Sequence, residues 1–190
     1  MKKYSRLVWI FVALLVVSAL YRLIPNRPWG FAPQIAIAMF SGSMVKDKRL
    51  SFLLPLGSMF LSDLIFQVLF SMGVGATPGF YDGQWMNYIL FTGLTVVGWF
   101  VSERKPLQIF IGALFGPVLY FLASNSSTWA AGLGWHRPHT WAGFAQAMED
   151  GVPFFKGSLY ATLIFSVVLY GGYALLTRRR QAVAHAHARG

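Results

Sequence analysis

Residues 50–71 read LSFLLPLGSMFLSDLIFQVLFS, a run in which Asp63 is the one charged side chain among apolar and small residues. About 20 predominantly apolar residues are enough for a helix to cross the hydrocarbon core of a bilayer. The stretch therefore predicts a transmembrane helix that carries a carboxylate at membrane depth.

The composition extends this prediction to the whole chain. The 190 residues are 56% hydrophobic and only 12% charged, whereas a soluble domain carries about 25% charged residues. The net charge of +10 does not indicate nucleic-acid binding, because the basic residues lie in small groups between apolar runs and not on one face of a domain. Cysteine is absent, which excludes disulfides and thiolate metal ligands. No cofactor is expected.

Six apolar segments predict an all-α integral membrane protein, a six-helix bundle that forms a single domain over residues 1–177. The first segment follows a basic N-terminus like a signal peptide, but no small-x-small cleavage site closes it, so we expect it to remain as a membrane helix. Residues 178–190 are expected to form a basic, disordered cytoplasmic tail. The predicted helices cover residues 7–24, 31–45, 50–71, 86–101, 107–124 and 157–176.

The basic residues give an independent test of this topology. With the N-terminus inside, twelve of the sixteen Lys and Arg residues fall on the cytoplasmic side, and the outer connections hold the remaining four, Arg22, Arg27, Arg137 and Lys156. This is the positive-inside pattern, and an odd number of spans would break it. Both termini are therefore predicted to lie in the cytoplasm. The last outer connection, residues 125–156, is long enough for an interfacial helix or a lid.

Small residues spaced four apart occur in two of the segments. Such pairs let helix backbones approach closely in lipid, either inside one bundle or between subunits. We favour packing inside the bundle. The pairs are Ala32 with Ala36, Ala38 with Gly42, and Gly112 with Gly116.

Polar residues in the outer half of the bundle predict a binding pocket. At about 1.5 Å per residue from Leu50, Asp63 lies roughly 20 Å along its helix, at a depth similar to that of Arg22. An unpaired carboxylate there costs a few kcal/mol or more, so the two side chains form either a structural ion pair or part of a ligand site. The candidate substrate-binding residues are Arg22, Asn26, Asp63, Gln67, Tyr81, Asn87, Asn125 and Trp129.

Neither a metal site nor a catalytic site is predicted. His136 and His139 are three residues apart and could share one metal on a helix, but no third ligand has motif spacing. The chain has no nucleophile elbow, no His-Glu-x-x-His motif and no phosphate-binding glycine loop. Two other classes compete with a binding protein: a structural or assembly protein without a small ligand, and an intramembrane enzyme.

The chain resembles an uncharacterised family of small bacterial six-helix membrane proteins. The resemblance covers nearly the whole chain and implies a multi-pass protein of the bacterial inner membrane. It rests on residues 21–26 (YRLIPN), 31–36 (FAPQIA), 38–42 (AMFSG), 54–56 (LPL), Ser62-Asp63, 79–82 (GFYD), Ser124-Asn125 with Trp129, and 153–155 (PFF).

That family is similar to the S components of energy-coupling-factor (ECF) vitamin transporters. The resemblance implies six helices in contact with the lipid bilayer and a small-molecule site near the outer face. Its partner would be an ECF-type ATPase module. In the first helix, however, Ala13 and Ala19 do not form the Ala-x-x-x-Ala pattern of S components that dock on a shared partner, so solitary action is also open. Solitary relatives make cobalamin a candidate substrate, with His136 or His139 as an axial ligand or with no axial ligand.

Overall fold

The fold is helical throughout the part of the chain that the structure covers. The computed structural model describes residues 2–24 and 26–187, with side chains for residues 12–24 and 26–177, and contains no β-strand in these ranges. The all-helical prediction is confirmed to this extent. The helices are α1 (Lys2–Arg22), α2 (Gln34–Met44), α3 (Leu53–Ser71, preceded by the 3₁₀ turn Leu50–Phe52), α4 (Gln84–Gly93), α5 (Thr95–Trp99), α6 (Pro106–Ala130) and α7 (Trp141–His187).

Three of the helical segments in the described residues are long and apolar enough to cross a membrane. They are Leu50–Ser71, Pro106–Ala130 and Trp141–Thr177. Two shorter apolar helices, Val12–Arg22 and Gln34–Met44, accompany them. The length and hydropathy of these segments support the predicted membrane character.

Helix α2 lies at the centre of the molecule. Every residue from Gln34 to Gly42 is buried, as expected for a helix that is apolar or small on all sides. It contacts all five later helices. On one side Met39 and Phe40 pack with Tyr170 of α7, and on the other Ile35 packs with Leu94.

Glycines allow α2 to approach α5 and α6 closely. A Cβ atom on Gly42 would lie 2.1 Å from the carbonyl oxygen of Thr95, and one on Gly98 would lie 2.0 Å from that of Met39. A Cβ atom on Gly112 of α6 would lie 2.8 Å from the sulfur of Met39, and one on Gly116 would lie 3.0 Å from the side chain of Ile35. The predicted packing of small residues inside the bundle is confirmed at Gly42, Gly112 and Gly116.

The fourth predicted helix is divided. Residues 86–101 were expected to form one helix, but α4 ends at Gly93 and α5 begins at Thr95. Glycine is a weak helix former, and nothing lies within 4 Å of a Cβ built on Gly93. The break allows the short α5 to turn against α2, where Gly98 makes the close contact.

The stretch between α6 and α7 that is not helical is shorter than the predicted outer connection, residues 125–156. Helix α6 continues to Ala130 and α7 begins at Trp141, so the connection is residues 131–140. The hydroxyl of Ser127 donates to the carbonyl of Ala123 at 2.7 Å, so this polar side chain is satisfied within the helix. The hydroxyl of Thr140 accepts the backbone N–H of Gly143 at 3.1 Å and so satisfies a free donor in the first turn of α7.

Helix α7 is longer than predicted at both ends. It has 47 residues and contains Pro153 in its interior, where the sequence pattern had indicated a helix end. The backbone also stays helical over residues 178–187, where we expected a disordered tail. The last part of that predicted tail, residues 188–190, lies outside the described residues.

Candidate functional site

Asp63 is held by three partners that it could not have within its own helix. Its Oδ1 lies 2.8 Å from Nη1 of Arg22, and its Oδ2 accepts hydrogen bonds from Nε2 of Gln84 at 2.5 Å and from the hydroxyl of Tyr88 at 2.6 Å. The residue is 1% exposed. Helices α1 and α4 thus meet α3 at one buried carboxylate.

The other member of the ion pair makes its contacts through one nitrogen, Nη1. Arg22 also donates to the hydroxyl of Ser62 and to the carbonyl oxygen of Met59, the latter at 3.3 Å. Its guanidinium lies 5.9 Å from the centre of the Phe66 ring. We call Arg22, Ser62, Asp63, Gln84 and Tyr88 the Asp63 cluster. Arg22 and Asp63, which were expected to lie at a similar depth, thus form an ion pair.

Polar groups beside this cluster fold the α3–α4 connection onto α3. Oε1 of Gln67 accepts the backbone N–H groups of Gly79 and Phe80 at 3.2 and 3.3 Å. A Cβ on Gly79 would lie 1.8 Å from the carbonyl oxygen of Asp63, so only glycine fits there. The amide oxygen of Gln67 is therefore already bonded to the backbone of this chain.

A cavity of about 400 Å³ lies next to the Asp63 cluster, between the α1–α2 connection and helices α2, α3, α4, α6 and α7. Its volume is within the range of about 300–1,000 Å³ typical of small-molecule sites. The polar side chains that line it are Arg22, Arg27, Gln34, Ser124, Asn125 and Ser158. The aromatic ones are Trp29, Phe91, Tyr120, Phe121, Phe154 and Phe155.

Gln34 is a buried side chain of this cavity, and both of its amide atoms lack hydrogen-bond partners in the described part of the chain. It is the first residue of α2 and is 3% exposed, yet neither its Nε2 nor its Oε1 has a partner among the described residues. Buried amides are nearly always hydrogen-bonded, because an unpaired polar group costs about 1–3 kcal/mol. The cavity therefore contains one unused donor and one unused acceptor side by side.

Arg27 adds a positive charge to the same cavity. Its side chain forms no hydrogen bond and no ion pair within the described part of the chain, although it is partly buried. Burial lowers the pKa of Arg27, and the like charge of Arg22 lowers it further. Both effects disfavour the charged form, so an incoming anion would relieve them.

Asn125 and Ser158 support the far wall. The amide nitrogen of Asn125 donates to the carbonyl of Phe121 at 2.7 Å, which turns the amide toward α7. There a Cβ on Gly151 would lie 2.4 Å from Oδ1 of Asn125. The hydroxyl of Ser158 donates to the carbonyl of Gly30 at 3.1 Å and so ties α7 to the α1–α2 connection.

Residues 27–32 form one side of the cavity, which all of them except Phe31 line, and we call them the cover segment. The indole of Trp29 stacks on Phe154 of α7, with ring centres 5.4 Å apart and planes 12° apart. Gly30 has φ +71°, and a Cβ there would lie 2.1 Å from the carbonyl oxygen of Phe154. The cover segment is thus held by one aromatic stack and by close backbone contact.

Of the eight predicted substrate-binding residues, Arg22 and Asn125 line the cavity. Asp63 and Gln67 lie beside it with their bonds already made. Tyr81 and Asn87 bond each other at 2.9 Å on the surface, and Asn26 is exposed with φ 56°. Trp129 donates to the carbonyl of Pro138 at 3.0 Å, away from the cavity. The prediction omitted Arg27, which looked like an ordinary outer-loop charge, and Gln34, which looked like the start of a helix.

The histidine pair does not form a ligand set. A ring nitrogen of His136 lies 2.7 Å from the carbonyl oxygen of Gly132, and one of His139 lies 2.8 Å from that of Trp129. No group of three potential metal ligands occurs among the described residues. Both imidazoles brace the α6–α7 connection.

A protein-family model matches nearly the whole chain. DUF6580, a family of unknown function, matches residues 2–185. The chain belongs to this family. No curated protein and no solved structure matches it. The DUF6580 match spans both the Asp63 cluster and the cavity.

Proposed function

We propose that the protein is a membrane substrate-binding or transport protein for a small, water-soluble, vitamin-like compound. The observation that carries the proposal is Gln34, a buried amide with neither hydrogen bond made, at the wall of a cavity of ligand size. A bound molecule that supplies one acceptor and one donor would remove this deficit. The other lining groups offer hydrogen bonds and positive charge but not a general base, which favours binding over catalysis.

The proposed membrane arrangement has six spanning segments with both termini in the cytoplasm of a bacterial cell. It rests on the distribution of the basic residues, of which Arg22 and Arg27 fall on the outer side. Both of these residues line the cavity. In this arrangement the cavity lies under the outer surface, and the cover segment separates it from water.

The volume of the cavity bears on the substrate. Pockets of about 300–1,000 Å³ hold drug-sized molecules, and about 400 Å³ lies near the lower end of that range. Cobalamin, with a corrin ring and a nucleotide tail, is much larger than the single-ring vitamins. The cavity volume therefore favours a compound with one or two small rings.

We propose that the compound is released by a movement of the cover segment or of α7. The contacts between them include the stack of Trp29 on Phe154, the ring contact of Phe31 with Phe165, the bond from Ser158 to Gly30, and close backbone packing at Gly30 and Gly157. None is a salt bridge, so the covering contact can separate without exposing a buried charge pair. The missing Ala-x-x-x-Ala pattern in α1 favours movement without a shared ATPase module.

The first test is a thermal-shift screen of the detergent-purified full chain against thiamine, riboflavin, biotin, pantothenate, nicotinate and cobalamin. A compound at about 100 times its Kd should stabilise the folded protein by roughly 2.7 kcal/mol. Gln34→Leu should abolish the shift. Gln146→Leu, the same change at an exposed position of α7, should leave it intact.

Two results would contradict the proposal. One is the absence of a shift with every compound in a sample shown to be folded, which would favour a structural or assembly role. The other is a shift that survives Gln34→Leu, which would place the binding site elsewhere. Uptake of the shifting compound into proteoliposomes that contain this protein alone would then separate a solitary transporter from one that needs an ATPase.

A further inference from the structure

The charges around the cavity do not balance. Two guanidinium groups, those of Arg22 and Arg27, line it, and the one carboxylate nearby, Asp63, is fully engaged by Arg22, Gln84 and Tyr88. No carboxylate lies within ion-pair distance of Arg27 in the described residues. One positive charge therefore remains in a partly apolar space, where an uncompensated charge is costly.

The N-terminus of α2 adds further donors at the same place. The backbone N–H groups of Gln34, Ile35 and Ala36 have no acceptor among the described residues, and Pro33 at the cap position provides no side-chain bond. All three residues are buried. A helix N-terminus favours anions because its free N–H groups and its dipole both point outward. The side-chain amide of Gln34, the first residue of this helix, also has no partner among the described residues and lines the same cavity.

We infer that the cavity takes a small organic monocarboxylate, with its carboxylate between the Arg27 guanidinium and the α2 N-terminus at Gln34. The inference rests on the proposed function and specifies its substrate class. One unbalanced positive charge matches one negative charge, whereas a phosphate ester, which carries nearly two at neutral pH, would leave a buried excess of negative charge. The aromatic side chains of the lining suit the apolar body of such a compound.

The test uses acid and neutral forms of the same molecule. Binding of nicotinate, pantothenate and biotin to the full chain is measured by isothermal titration in detergent, beside nicotinamide, panthenol and biotinamide. At least one acid should bind about tenfold or more tightly than its neutral partner, since a charge-assisted bond is lost in the neutral form. Octanoate is added to distinguish a carboxylate that comes from the membrane from a water-soluble one.

Arg27→Gln is the variant that locates the carboxylate. It should weaken binding of the acid about tenfold or more and leave binding of the neutral partner nearly unchanged. Arg104→Gln removes the same charge from the exposed α5–α6 connection and should change neither. Unfolding temperatures of both variants show whether they are folded.

The outcomes separate this inference from the proposed function. Binding of neutral or cationic compounds alone, abolished by Gln34→Leu, would overturn the monocarboxylate and keep the binding function. Equal binding of acid and neutral forms, unaffected by Arg27→Gln, would do the same. Tight binding of octanoate but of no water-soluble acid would support the carboxylate and contradict a water-soluble substrate. No binding by any probe would overturn both.

Discussion

Two neighbouring groups of polar side chains lie among apolar helices in this protein. The Asp63 cluster has its hydrogen bonds made, whereas side chains at the cavity lack partners among the described residues. In the Asp63 cluster both carboxylate oxygens have partners, and Nη1 of Arg22 lies within bonding distance of three oxygen atoms. At the cavity, within the part of the chain that the structure describes, neither amide atom of Gln34 has a partner and the charge of Arg27 has no counter-ion. A satisfied buried group contributes to stability, whereas an unsatisfied one costs stability and is ready for a ligand. The two groups should therefore respond to mutation with opposite signs.

The largest expected effect is that of Asp63→Leu. It leaves Arg22 without its counter-ion and removes the acceptor for Gln84 and Tyr88, so unfolding free energy should fall by about 3–5 kcal/mol. The double variant Arg22→Met with Asp63→Leu should recover a large part of this loss, because no buried charge remains. Denaturant unfolding in detergent, followed by circular dichroism, measures both. A single variant as stable as the parent would show that the cluster is not structural.

A smaller loss of unfolding free energy is expected when the α3–α4 connection is forced away from α3 beside the Asp63 cluster. Gly79→Ala places a Cβ 1.8 Å from the carbonyl oxygen of Asp63, and the required shift should cost about 1–3 kcal/mol. Gly93→Ala is the matched control, since nothing lies within 4 Å of its Cβ, and it should be neutral or slightly stabilising. The unfolding curves of the two variants are compared directly. Equal stability of the two would mean that the α3–α4 connection does not hold the cluster.

A gain in stability is expected when the unpaired amide at the cavity is removed. Gln34→Leu removes two buried polar atoms that have no partner, so the ligand-free protein should be more stable by about 1 kcal/mol. The same variant should lose binding in the vitamin screen. Differential scanning fluorimetry without added compounds gives the first result. A clear loss of stability would indicate that the amide already has partners and would weaken the case for a ligand site.

The smallest effect is expected far from both groups. Arg137 forms two bonds of 2.9 Å with Asp150 on the surface, and exposed ion pairs contribute little because water and salt screen them. Arg137→Gln should leave the unfolding temperature and ligand binding unchanged within error. A large change in binding would show that the α6–α7 connection takes part in ligand binding.

Much of the fold could be predicted from apolar runs, and the Asp63 pair from the cost of a charge in such a run. The continuation of α7 through Gly151 and Pro153 could not be predicted, because the packing of α7 against α6 outweighs the helix-breaking tendency of these two residues. The division at Leu94 was also missed, since it depends on the close crossing at Gly98.

The binding residues were predicted less well than the helices, and for a physical reason. A carboxylate in an apolar run is conspicuous, but the same cost forces it to find partners within the protein, which removes it from the ligand site. Gln34 is less conspicuous because a neutral amide beside Pro33 is ordinary at a helix start. The available signal was its position at the head of the segment from Ile35 to Gly42, which has no polar face toward which a solvent-exposed Gln could turn.

The shortness of α2 has a consequence for how the protein is made. Its 11 residues rise only about 16 Å, roughly half of a hydrocarbon core of about 30 Å. A segment of this length is a poor substrate for insertion on its own, and its unshielded ends would be exposed to lipid. During synthesis α2 must therefore wait for α6 and α7 before it has a complete protein environment. A ribosome-bound chain that stops before Pro106 should remain sensitive to membrane quality-control proteases, and the cavity is complete only after α7 has been made, because Phe154, Phe155 and Ser158 line it.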